Sequence, residues 1–76
     1  MQRSVHEIRE GLLTAKIYCR KIGGKLNFTV SLTRVFRNGD VWNESSRLGM
    51  ENLLTASWLL TEAYRWIHSK EVGKRK

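Results

Sequence analysis

Leu26 to Ser45 reads LNFTVSLTRVFRNGDVWNES, and this stretch decides the fold. In its first half Leu26, Phe28, Val30 and Leu32 alternate strictly with Asn27, Thr29, Ser31 and Thr33. A period of two is the pattern of a strand with one buried and one wet face. Asn38-Gly39 is the strongest short hairpin signal in the chain, and Val41 to Leu48 reads as the strand that returns from it. The wet residues are short and hydroxylated, and the strand carries no charge of either sign from Leu26 until Arg34 and Arg37. A solvated face ordinarily carries several Lys or Glu residues, so its composition asks for an explanation.

Working outward, Val5 to Arg9 predicts a short strand, with Gly11 as a bend after it. Leu12 to Lys21 predicts another, with Leu13, Ala15, Ile17 and Cys19 on one face and Lys16, Tyr18 and Arg20 on the other. Gly23-Gly24 supplies the positive φ angles of a tight hairpin. The GGK at this point lacks the earlier glycine and the Ser/Thr of a phosphate loop, so it reads as a turn. A helix is expected from about Met50 to Ser69, with Glu51 in its first turn and Lys70 near its last, as the macrodipole prefers. The expected architecture is α+β: a curved antiparallel sheet of three to four strands followed by one long C-terminal helix. Residues 1–70 form the domain in this reading, and residues 71–76 a basic disordered tail that either contacts phosphate or stays unstructured.

The helix is apolar around most of its circumference. With Leu53 at zero and ~100° per residue, Tyr64, Met50, Leu54 and Trp58 run round one side. Leu60, Ile67, Ala56, Ala63, Leu59 and Trp66 run round the other, leaving Glu51, Thr55, Glu62 and Ser69 as the polar stripe. One sheet covers an apolar arc somewhat wider than ~100°, and this arc is more than twice that. The excess at Leu54, Trp58, Leu59 and Trp66 predicts a homodimer through the helices, since the chain has no other element to cover them.

The totals agree with a small domain in need of a partner. A chain of 76 residues buries only roughly 60% of its unfolded surface. Cys19 is the sole cysteine, which excludes an internal disulfide framework. His6, His68 and Cys19 lack ligand-pair spacing, so no metal or other cofactor is expected. His6 and His68 are expected in solvent, and Cys19 in the core as a small hydrophobe. No Ser/His/Asp or Cys/His grouping is visible, and the chain does not read as an enzyme with a small-molecule substrate. No apolar run approaches about 18 residues and no apolar N-terminal leader is present, so a cytoplasmic protein without a membrane partner is expected.

The net charge is +7. Residues 1–49 carry nine Lys/Arg against four Asp/Glu and residues 50–76 five against three, so the excess lies mainly in the part that reads as sheet. Basic balance attracts polyanions through steering and counterion release, though it also serves simply to keep a small protein dispersed. With the helix on one face, the other gathers Lys16, Tyr18, Arg20, Asn27, Thr29, Ser31, Thr33 and Arg37. Short hydrogen-bonding side chains let an extended strand approach, Lys and Arg meet phosphates, and Tyr18 offers a ring to a base. Lys25 by the hairpin, and Trp42 as a stacking platform or a rim aromatic, complete the candidate set of Lys16, Tyr18, Arg20, Lys25, Thr29, Arg37 and Trp42. Thr and Ser are also good strand residues on a merely solvated face, which leaves the bland alternative open. Arg34 and Phe36 continue the buried parity, with Arg34 free to meet phosphate or to pair with Glu44.

Ile8-Arg9-Glu10-Gly11 followed by Leu12 to Ile17, then Phe28 to Arg34, then Arg47-Leu48-Gly49-Met50, set in the order strand, strand, long strand, strand, helix, carry a family likeness. The chain resembles the positive-cofactor-four-like transcriptional coactivators, and is similar to single repeats of the Pur and Whirly single-strand binders. A further resemblance, over about Gly11 to Ile67, is to a group of small uncharacterised bacterial proteins. It rests on Thr33-Arg34-Val35-Phe36, Gly39, Trp42, Leu48-Gly49, Asn52-Leu53-Leu54 and Ala63 to Ile67, and implies a shared fold without an activity. The coactivator resemblance implies a homodimer with helices at the interface and sheet surfaces that grip single-stranded DNA. The chain departs from that pattern in having fewer basic residues before the long strand, and only Arg47 in the loop before the helix. The expected function is non-catalytic binding of single-stranded DNA or RNA with low sequence specificity, in transcription or DNA maintenance. The alternative is a dimeric protein-interaction or structural module.

Overall fold

The computed structural model describes residues 3–73. Four strands, β1 (His6–Glu10), β2 (Leu13–Ile22), β3 (Lys25–Asn38) and β4 (Val41–Ser45), form one antiparallel sheet in the order β1-β2-β3-β4. A 3-10 turn at Met50–Asn52 leads into helix α1 (Leu53–Gly73). This is the expected α+β order of four strands and a terminal helix. The helix continues past Ser69 through Gly73, so the basic stretch beyond it shortens to Lys74-Arg75-Lys76, which lies outside the described residues.

The two hairpins show why the chain reverses where it does. Ile22 pairs with Lys25, so Gly23 and Gly24 alone make the first turn, both at positive φ. The second turn is displaced by one residue from the Asn-Gly reading. Asn38 stays in the ladder opposite Val41, and Gly39-Asp40 turns the chain with Gly39 at φ +66°. Glycine first is the type II′ pattern, whose twist suits flanking strands. A Cβ on Gly39 would meet nothing within 4 Å, so Gly39→Ala tests the backbone alone. It should destabilise by about 1–2 kcal/mol, read as a lower urea midpoint with unchanged m-value.

Strand β4 stops at Ser45, short of Leu48, because the loop finds other partners. The Arg47 backbone N–H donates to Ser45 Oγ at 3.1 Å. The Gly49 N–H donates to Asn52 Oδ1 at 3.2 Å, and the Asn52 N–H returns to the Gly49 carbonyl at 2.9 Å. This reciprocal pair satisfies donors that a helix start leaves open.

The core lies between β2 and the helix. Leu13, Ala15 and Ile17 face Ala56, Leu59 and Ala63, all buried, with Ile8, Leu32 and Leu48 half-buried beside them. Alanines on both elements allow a close approach, and α1 packs chiefly over β1 and β2. Cys19 shares the helix-facing parity but is only half-buried.

This seating corrects the helix flanks. Leu59 is fully buried against the sheet and is not an interface residue. Trp66 is likewise engaged within the chain. Its ring stacks on His6 at 4.8 Å, meets Phe28 edge-on at 6.1 Å, and carries the Lys70 ammonium at 5.0 Å. His6 is therefore half-buried rather than solvated, while His68 is exposed and stacks on Tyr64. The physical reason is the roll of the helix: the sheet faces Leu59, six residues beyond Leu53, which at ~100° per residue is about 120° round. Leu54 and Trp58 remain exposed as expected, now joined by Leu53, Leu60 and Tyr64.

Candidate nucleic-acid interface

The pairing register assigns every side chain of the sheet to a face. Lys16 pairs with Ser31, Tyr18 with Thr29, Arg20 with Asn27, Ile22 with Lys25, and Arg37 with Trp42. Alternation then puts Lys16, Tyr18, Arg20, Lys25, Thr29, Arg37 and Trp42 on the face opposite the helix. All seven candidates share that surface, and no other element of the described chain covers it.

Their environments differ along the strands. Near the Gly23-Gly24 hairpin, Arg20 and Lys25 are exposed and form no ion pair among the described residues. Tyr18 is half-buried and pairs with the exposed Thr29, with the short side chains of Asn27 and Ser31 two residues to either side on the same face. Towards β4 the face becomes mixed in charge. Lys16 Nζ lies 3.8 Å from Glu44 Oε1, reaching across β3, and Thr33 Oγ1 donates to the same oxygen at 3.0 Å. The Arg37 guanidinium folds onto its own turn, donating from Nε to the Gly39 carbonyl at 2.7 Å and facing Asp40 at 3.5 Å. Trp42 is 60% exposed and is neither core nor a covered rim residue.

Arg9 and Glu7 also stand on this face and were not singled out by sequence reasoning, and Glu44, read there only as a partner for Arg34, stands with them. Arg9 pairs with Thr14, and Glu7 with Lys16, so both join the open face only once the β1–β2 register is known. Arg9 lies 3.8 Å from Glu7, both exposed. Arg34 does not pair with Glu44. It stands on the helix side, donates to the Arg47 carbonyl at 3.3 Å, and lies over the Phe36 ring at 5.7 Å.

The helix side holds a second feature, an open groove of 560 Å³ between α1 and β3. Leu53, Leu60 and Tyr64 form one wall, and Leu32 and Leu48 the other. Among the described residues no group of three His, Cys, Asp or Glu side chains comes together, and no helix is long and apolar enough to cross a membrane. No protein-family model, curated protein or solved structure matches the chain.

Proposed function

We propose that the protein binds single-stranded DNA or RNA along the open face of its sheet, without catalysis, as an accessory factor in cytoplasmic transcription or DNA maintenance. The observation that carries this reading is the joint placement of Lys16, Tyr18, Arg20, Lys25 and Thr29 on one uncovered surface. Extended single strands need a cationic track with rings for bases and little bulk between them. The likeness to the coactivators points the same way. A labelled oligonucleotide of mixed sequence, titrated by anisotropy at low and at physiological salt, tests it. Binding should be clear at low salt and fall steeply as salt rises, because Lys and Arg displace condensed counterions. Absence of binding at low salt would sink the reading.

The second partner in this proposal is another copy of the chain. From Leu53 to Thr61 the helix contains no charged residue, and Leu54 projects 87% exposed. Clustered exposed apolar side chains on one helix face support an interaction site there. A twofold interface must be complementary to itself, and this surface offers both a ridge at Leu54 and Trp58 and a groove lined by Leu60 and Tyr64. The same helix surface supports the competing reading, a protein-interaction module whose dimer is its whole role. The oligonucleotide titration separates the two.

A further inference from the structure

On the open face a hollow of 220 Å³ is lined by Arg9, Thr14, Lys16, Val35, Trp42 and Glu44. Thr14 is buried at its floor, Val35 is half-buried, and the Trp42 indole is largely exposed at its side. Among the residues that line the hollow Glu44 is the acid, beside the cations Arg9 and Lys16, and it shares the open face with Glu7. Both of its contacts, to Lys16 and to Thr33, are made through Oε1. Its carboxylate has about four acceptor sites, so capacity remains on Oε2.

We infer that this hollow seats a single guanine base, stacked on Trp42, with the Glu44 carboxylate accepting from the base edge. The inference rests on the single-strand reading and adds to it a sequence preference at one position. An ionised carboxylate accepts hydrogen bonds and cannot donate them. The Watson–Crick edge of guanine presents two N–H donors side by side, N1–H and the N2 amino group, which match two carboxylate oxygens. Thymine and uracil present one N–H between two carbonyl oxygens, which repel the carboxylate. Cytosine and adenine present an amino group next to a ring-nitrogen acceptor. Unstacked bases in single strands are read along these edges. Arg9 and Lys16, which line the hollow with Trp42, would meet the flanking phosphates, Arg9 on leaving Glu7 and Lys16 on leaving Glu44. Lys16 holds Glu44 only at 3.8 Å, so it can turn to phosphate as guanine takes its place.

The bland role for Glu44 is to neutralise Lys16, and the experiment separates the two. Labelled dT strands of about ten nucleotides, one all dT and the others with one central dG, dA or dC, are titrated with wild-type protein and with Glu44→Gln and Trp42→Ala. Both side chains are exposed, and matched melting curves verify that the variants fold. The dG strand should bind about 5- to 150-fold tighter than all-dT, the discrimination that a bidentate base contact gives. Glu44→Gln should erase that preference while leaving the dT strand bound at least as tightly, since a negative charge is gone. Trp42→Ala should weaken the dG strand most. Equal wild-type binding to dT and dG strands overturns the guanine seat and leaves the single-strand reading standing. A Glu44→Gln protein that binds every strand tighter by one common factor, with the dG preference intact, also overturns it. If no strand binds wild-type protein at low salt, the single-strand reading fails and takes the guanine seat with it.

Discussion

Leu59→Glu should abolish the folded state, whereas Leu60→Glu, one residue further along, should keep the fold and produce a monomer. Leu59 is fully buried among Leu13, Ala15 and Ala56. A carboxylate there has no partner, and burying an unpaired charge costs several kcal/mol even after relaxation. Small domains hold a stability near the lower end of about 5–15 kcal/mol, so little would remain. Leu60 points away from the core and is 48% exposed, at the wall of the helix–β3 groove. A charge there stays hydrated in the monomer and is desolvated only when a second copy packs on it. Sedimentation equilibrium should give twice the chain mass for wild type and the single mass for Leu60→Glu, with unchanged far-ultraviolet circular dichroism. A dimeric Leu60→Glu would move the interface away from this helix surface. Cooperative melting of Leu59→Glu would contradict the seating of the helix itself.

That contrast depends on the roll of the helix, which the apolar arc in the sequence did not reveal. Apolar periodicity gives the width of an arc, not its centre. The helix is seated with Ala56, Leu59 and Ala63 towards the sheet, all buried, with Ala56 and Leu59 in one cluster with Leu13 and Ala15. Leu53, though large and apolar, was left 52% exposed. The sheet was more legible, because a one-residue slip of a strand would turn every side chain over. Alternation in β2 and β3 therefore assigned Lys16, Tyr18, Arg20 and Thr29 to one face before any pairing was known. Pairings across the sheet were not legible. Lys16 and Glu44 sit on strands that are not neighbours, and they meet only because β3 holds both in register. The Asn38-Gly39 signal located the hairpin and the return strand from Val41 but not that Asn38 stays in the ladder, because Asn-Gly and Gly-Asp both satisfy the demand for positive φ at a tight hairpin. The displacement changed no face, since Trp42 stands opposite an odd-numbered residue of β3 in either register.

For the proposed single-strand binding, the charge pattern of the open face gives the salt dependence a particular order. Each phosphate contact removed should lower the log–log salt slope by about 0.7 for a single strand. Arg20 and Lys25 are exposed and without ion pairs among the described residues. Changing both to Ala should therefore lower the slope by about 1.4 and weaken binding for all sequences alike. Lys16→Ala should lower it by less, because Glu44 already offsets that charge and must be left before Lys16 can meet phosphate. Tyr18→Ala should cost about 1–3 kcal/mol with the slope nearly unchanged, the signature of a base stacked on an aromatic ring. Variants compared this way must melt like wild type, so that a damaged sheet is not mistaken for a lost contact. Binding that survives the Arg20/Lys25 double change with its slope intact would shift the site off the hairpin end of the sheet. A Lys16→Ala slope loss as large as that of Arg20→Ala would show that Glu44 leaves the Lys16 charge fully available to phosphate.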